Sequence, residues 1–105
     1  MIQPELYDVV ELLVDLPKVG LKSGQLGTIL EKHNEKTYEV EFANVEGETL
    51  EFLALTSEQF IVVWKSGTSQ SVPVTERILA MMEILPEDKQ GQVLDFTRSL
   101  YRVSA

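Results

Sequence analysis

Three glutamates are the side chains whose types and spacing could do chemistry in this chain. In TYEVEF, Glu39 and Glu41 alternate with Tyr38, Val40 and Phe42, and a second run, ETLEF, carries Glu51 between Leu50 and Phe52. A period of two puts alternate residues on opposite faces of a strand, so the glutamates are expected in water and Tyr38, Val40, Phe42, Leu50 and Phe52 in a core. If Ala43 to Gly47 make the loop between these runs, Glu41 faces Thr49 and Glu39 faces Glu51. Carboxylates directly opposite one another repel unless something positive compensates. Such a group has three readings: a solvated acidic face, a docking face for a basic protein, or oxygen ligands at Glu39, Glu41 and Glu51 for a hard cation such as calcium. No loop carries the D-x-D-x-D-G spacing of a dedicated calcium site.

The other reactive types are sparse. His33 is the one histidine, in HNEK, where no nucleophile or orienting group is evident for a general base. Ser23, Thr56 and Ser57 read as turn and capping residues. Cysteine is absent, which excludes disulfides, thiolate metal sites and cysteine nucleophiles. No catalytic residues and no cofactor are expected, so the chain is read as a non-enzyme.

LKSGQLGTILEK, residues 21 to 32, has the glycines and basic residues of a turn that could touch nucleic acid, but it leads into a strand. A phosphate cradle needs free amides at a helix N-terminus. Charge argues the same way. The net charge is −8, and through Trp64 twelve acids face four lysines, Lys18, Lys22, Lys32 and Lys36, with no arginine. From Lys65 onward five acids balance five bases. Phosphate backbones bind clustered cations, so no nucleic-acid partner is expected.

The elements that must position these residues are short strands broken by turns. Asp8 to Val14 is a β-branched run stopped at Pro17, and Gly20 and Gly24 lie in the loop that follows. Gln25 to Lys32 is a second strand, in which Gly27 marks a bulge or a close backbone approach. HNEK is a turn, TYEVEF and ETLEF are strands, LTSEQF is read as one helical turn, and Phe60 to Trp64 is the fifth strand. Five short strands with a long first loop predict a mainly β fold, a five-stranded SH3-like barrel over residues 1–64. A polar linker is expected over 65–74, then a helical appendage over 75–105.

In the appendage Ile78, Met82 and Leu85 share one helical face, widened by Leu79 and Met81. Leu85-Pro86 breaks the helix, and the second helix carries acids early, Arg98 and Arg102 late, and a stripe of Val93, Phe96, Leu100 and Val103. A C-terminal two-helix hairpin follows. Its stripes either complete the barrel core or meet a second chain, and Met81, Met82, Phe96 and Tyr101 are types enriched at interfaces. A homodimer through these helices is the expectation.

Residues 6 to 63 resemble a family of small bacterial proteins of unknown function, common in cyanobacteria and encoded in some genomes beside toxin-like genes. The resemblance is carried by Asp15-Leu16-Pro17, Gly20-Leu21, Gly24, Gly27-Thr28, the YEVEF strand and Gly47. It implies an SH3-like barrel and supplies no catalytic residues. Residues 84 to 100, ILPEDKQGQVLDFTRSL, resemble a helical segment of antitoxin-like bacterial proteins, through Leu85, Pro86, Gln90, Val93, Leu94, Asp95 and Phe96.

The expected function is therefore protein recognition, with the resemblance implying an antitoxin- or immunity-like role. The residues expected to carry it are Glu39, Glu41 and Glu51 for a basic protein partner, and Met82, Phe96 and Leu100 for buried area. The alternatives are a calcium-binding regulatory protein and a structural subunit of a larger complex. The acidic, proline-bearing start MIQPELYDVVE lacks the pattern of a signal peptide, and no run approaches a membrane span, so a cytoplasmic location is expected.

Overall fold

The computed structural model describes residues 2–102. Six strands form one antiparallel sheet in the order β4-β3-β2-β1-β5-β6. They are β1 (Val9–Leu12), β2 (Leu26–Asn34), β3 (Thr37–Ala43), β4 (Thr49–Thr56), β5 (Phe60–Lys65) and β6 (Gln70–Ser71), and two helices follow, α1 (Val74–Ile84) and α2 (Glu87–Ser99). No helix among the described residues is long and apolar enough to cross a membrane.

The loop from β1 to β2 is shaped by its proline and glycines. Pro17–Val19 makes a single 3-10 turn, for which the ring of Pro17 presets φ. Gly20 ends the turn at φ +72°, and Gly24 turns the chain into β2 at φ +95°, both as the sequence implies. Gly27 is a close approach. A Cβ there would stand 2.7 Å from Cγ1 of Val40 and 2.9 Å from Cε1 of Phe42, so only a hydrogen fits.

The sheet curls without closing. β2 shifts register against β3 between Ile29 and Glu31 and again between Lys32 and Asn34, and such bulges bend a strand and increase its twist. As a result Tyr38 on β3 meets Phe60 on β5 edge to face, with ring centroids 5.6 Å apart. In a flat sheet these strands, three positions apart, would be separated by roughly 14 Å. The core fills the curl with Val10, Leu12, Leu21, Ile29, Tyr38, Val40, Phe42, Leu55, Phe60, Val62 and Val72.

The expected five-stranded barrel is thus corrected to an open six-stranded sheet. Closure would need β4 to pair along the free side of β5, where instead β6 pairs with Trp64 and Lys65. The polar stretch after Trp64, read as a linker, supplies this strand: it folds into a short hairpin on β5 and sends Val72 into the core. The helical turn expected at LTSEQF is also absent. β4 runs through Thr56, and a tight turn follows in which the Gln59 amide donates to the Thr56 carbonyl at 3.0 Å.

The β3–β4 register differs from the expected one. Asn44, not Ala43, opens the turn: its side-chain oxygen accepts from the amides of Glu46 at 3.0 Å and Glu48 at 2.9 Å, and Gly47 takes φ +84°. Ala43 then pairs with Thr49 and Phe42 with Glu51, so Leu50 is bulged out. The faces of β4 are exchanged. Leu53 and Leu55 turn inward, and Leu50 and Phe52, expected in the core, are each 52% exposed.

Candidate functional site

The outward face of β2, β3 and β4 is built by alternation. Across the three strands Thr28, Glu41 and Phe52 lie side by side, as do Glu31, Glu39 and Ala54. Leu26, two residues before Thr28, continues the face and is also exposed. Glu39 and Glu41 are therefore where the sequence places them. Glu51 is not, because its partner is the buried Phe42 and it points to the other side of the sheet. The expected pairing of Glu39 with Glu51 is replaced by Glu31 opposite Glu39.

Two carboxylates facing each other across strands still need compensation. His33 stands beside the pair, its Nε2 in a hydrogen bond with Oε1 of Glu39 at 2.8 Å. HNEK was read as a turn throughout, but His33 belongs to β2, and the second bulge of that strand sets it beside Glu39. Glu41 is held differently, accepting a hydrogen bond from the Thr49 hydroxyl at 2.7 Å. Among the described residues no group of three or more His, Cys, Asp or Glu stands close enough to hold a metal ion. The calcium reading loses its ligand set with the departure of Glu51.

The glycine loop is closed on itself. The Ser23 amide donates to Asp15 at 2.9 Å, the Lys22 amide to the Gln25 side chain at 2.6 Å, and the Gly24 amide to the Leu12 carbonyl at 2.7 Å. Amides so engaged hold the turn and are not turned toward a ligand. Thr56 likewise serves a turn, with its amide 2.8 Å from the side-chain oxygen of Gln59.

The helices carry the other predicted contact residues. Neither helix contains a buried residue. α1 packs against β5, and Arg77 fastens it there by donating to the carbonyls of Val72 at 2.8 Å and Val63 at 3.3 Å. Ala80, Met81 and Ile84, on the side of α1 shared with Arg77, are half-buried. Of the predicted stripe, Met81, Met82 and Leu85 are half-buried, and Ile78 and Leu79 are exposed.

The expected hairpin is corrected to two helices joined at a corner. Gln90 fixes that corner by donating to the carbonyls of Met82 at 2.7 Å and Leu85 at 3.1 Å, two of the groups a helix end leaves unpaired. Beyond it α2 makes no extended contact with the sheet or with α1 among the described residues. Phe96 is 66% exposed and Leu100 63%, and Leu94 and Tyr101 are exposed beside them. Val103, expected to extend this stripe, lies outside the described residues.

One polar centre was not anticipated. Asp8 is wholly buried, and its carboxylate accepts from Nζ of Lys65 at 2.6 Å, from the amides of Ser66 and Glu5 at 2.9 Å each, and from the Ser66 hydroxyl at 3.1 Å. Lys65 also reaches Glu5 at 2.7 Å and the Gln3 carbonyl at 2.8 Å. Burial alone would raise the pKa of Asp8, but the bonds from Lys65, Ser66 and Glu5 outweigh it and hold the group below its ordinary 3.8. For Lys65 burial acts downward, and the bonds and charges of Asp8 and Glu5 outweigh it, raising the group above 10.5. The sequence signal was an acid directly before the first apolar run and a lysine directly after the last. The cluster ties the N-terminal segment to the β5–β6 hairpin.

No curated protein and no solved structure matches the chain. One family model does, over residues 6–62, which take in β1 through the first half of β5. It is the model of the domain of unknown function DUF4926, and the chain belongs to that family.

Proposed function

We propose that this member of the DUF4926 family is a non-enzymatic protein-binding module that docks a basic protein on the outward face of β2–β3–β4. The observation that carries the reading is the composition of that face. Glu31, Glu39 and Glu41 share it with the exposed apolar residues Leu26 and Phe52, and the stretch from Thr37 to Trp64 contains no lysine or arginine. Apolar area supplies the part of association that comes from excluding water, and the carboxylates steer a cationic surface toward it. An antitoxin- or immunity-like role in the cytoplasm is the concrete form of this reading. The strand order β4-β3-β2-β1-β5 supports a kinship with small SH3-like domains, here in an open sheet.

Replacing Glu39 by lysine tests the face. The protein that co-purifies with the native chain from its own cell extract should associate with Glu39→Lys on the order of tenfold more slowly at low salt, and the difference should shrink at high salt. Equal association rates at low salt would remove the acidic face from the function.

The tail is a second contact surface in the same reading. The apolar stripe of α2 lies outside the core, and its acids in the first turn and Arg98 in the last make it charge-complementary to an antiparallel copy of itself. Light scattering should give the mass of a homodimer, and Phe96→Ser should reduce it to that of a monomer while leaving the circular dichroism of the folded chain unchanged. A monomeric native chain would refute the dimer and leave the sheet face untouched.

A further inference from the structure

The two edges of the sheet are unequal. β6 has two residues and ends against Pro73, so it offers almost nothing to pair with. β4 has eight residues, and among the described residues its one neighbour is β3. Edges of this length are ordinarily blunted by lysine, proline, a bulge or an inward charge; β4 has the bulge at Leu50 and the charge of Glu51 at its start and none of these from Phe52 onward.

The ladder shows which groups face outward along that edge. The Ser57 amide donates to the Lys36 carbonyl at 2.9 Å, and in an antiparallel pair alternate residues turn both polar groups to the same neighbour. Leu55, Leu53 and Glu51 therefore bond to β3, whereas Thr56, Ala54 and Phe52 present their amides and carbonyls to the other side. The outward amide of Thr56 is taken by Gln59. Phe52 and Ala54 remain, both exposed, with a donor and an acceptor each.

Charge decides what fits there. Glu46 and Glu48 stand in the turn that enters β4, Glu51 lies within it, and Glu58 stands in the turn that leaves it. A second copy of β4 would bring these glutamates against their own kind. An extended segment carrying lysine or arginine would pair with them, opposite Glu51 and at both ends.

We propose that β4 is a docking edge that takes an extended cationic segment of a partner polypeptide as a seventh, antiparallel strand. Main-chain hydrogen bonds to Phe52 and Ala54 hold the segment, and apolar residues on it meet the ring of Phe52 on the outward face. The proposal rests on the acidic-face reading for the charge of its ligand and adds the mode of binding.

The probe is a capped eight-residue peptide alternating lysine and valine, titrated into the full chain by fluorescence anisotropy. The peptide should bind, and the same peptide N-methylated at every second residue should bind about tenfold more weakly or worse, since two or three main-chain bonds are lost. Ala54→Pro should weaken the unmethylated peptide to a similar degree. Its fold should survive, because the amide removed is on the free side and proline is tolerated at such edges. Should Ala54→Pro misfold, Phe52→Lys places a like charge on the same edge and should abolish binding. Equal affinity for methylated and unmethylated peptides would overturn the edge while leaving the acidic face standing, as the Glu39→Lys rates would still show. No binding of the lysine peptide to the native chain would also overturn the edge. Equal binding of a glutamate-valine peptide would overturn the charge argument.

Discussion

Asp8→Ala should unfold this protein at a temperature lower by roughly 10 °C or more, corresponding to a loss of about 3 kcal/mol. The reason is what the substitution leaves behind. The carboxylate is wholly buried and takes four hydrogen bonds, so its removal leaves the amides of Ser66 and Glu5 without their acceptor and takes from Nζ of Lys65 one of its two carboxylate partners, Glu5 remaining at 2.7 Å. Orphaned buried donors cost more than the bond itself was worth. A cycle with Lys65→Met separates the two contributions: the double variant should be less destabilised than the sum of the singles, because the Asp8–Lys65 bond is lost once in the double variant and counted twice in the sum. Additive losses would show that the pair is not coupled.

The same cluster sets the pH limits. Asp8 has a folded pKa below its ordinary 3.8, so its contribution is complete above that value and is lost as pH falls through the depressed one. Lys65 has a folded pKa above 10.5, so its contribution is complete below that value and is lost as pH rises through the raised one. Chemical denaturation across pH should show stability falling on the acid side below 3.8 and on the alkaline side above 10.5. Asp8→Ala should flatten the part of the acid limb that belongs to this group. An acid limb unchanged in the variant would assign acid unfolding to other carboxylates.

Tyr38→Ala should cost about 3–5 kcal/mol, the range for removing a buried aromatic side chain. Tyr38 is almost entirely buried, and its ring is in contact with Phe60, so it joins β3 to β5 across the hollow of the curled sheet. Its loss empties the place where the two halves of the sheet touch. Urea unfolding should show a lower midpoint with a preserved slope if the curl survives, and a changed slope if the native state opens. By contrast Leu50→Ser, on the bulged residue outside the core, should cost little. A loss below about 1 kcal/mol for Tyr38→Ala would mean that the sheet is not held by this contact.

What alternation and turn chemistry reveal locally was legible. Tyr38, Val40 and Phe42 go inward and Glu39 and Glu41 outward, because the period of a strand does not depend on its neighbours. Gly20 and Gly24 take positive φ and Gly27 admits a close approach, of the Val40 and Phe42 side chains. The two helices and the break at Pro86 were likewise marked by spacing and by proline. ETLEF misled, since its alternation is real but a bulge at Leu50, beyond the Asn44 turn, exchanges its faces.

By itself, then, the sequence determined the local elements, the inward face of β3 and the excess of acid, all of which follow from residue type and short-range spacing. Tertiary structure alone decided which carboxylates share a face, that His33 hydrogen-bonds Glu39, and that residues 8 and 65 meet as a buried ion pair. It also decided that the sheet stays open, with β6 and not β4 beside the end of β5. These outcomes depend on register and on contacts between distant parts of the chain, which a one-residue bulge can reverse and which no window of neighbouring residues contains.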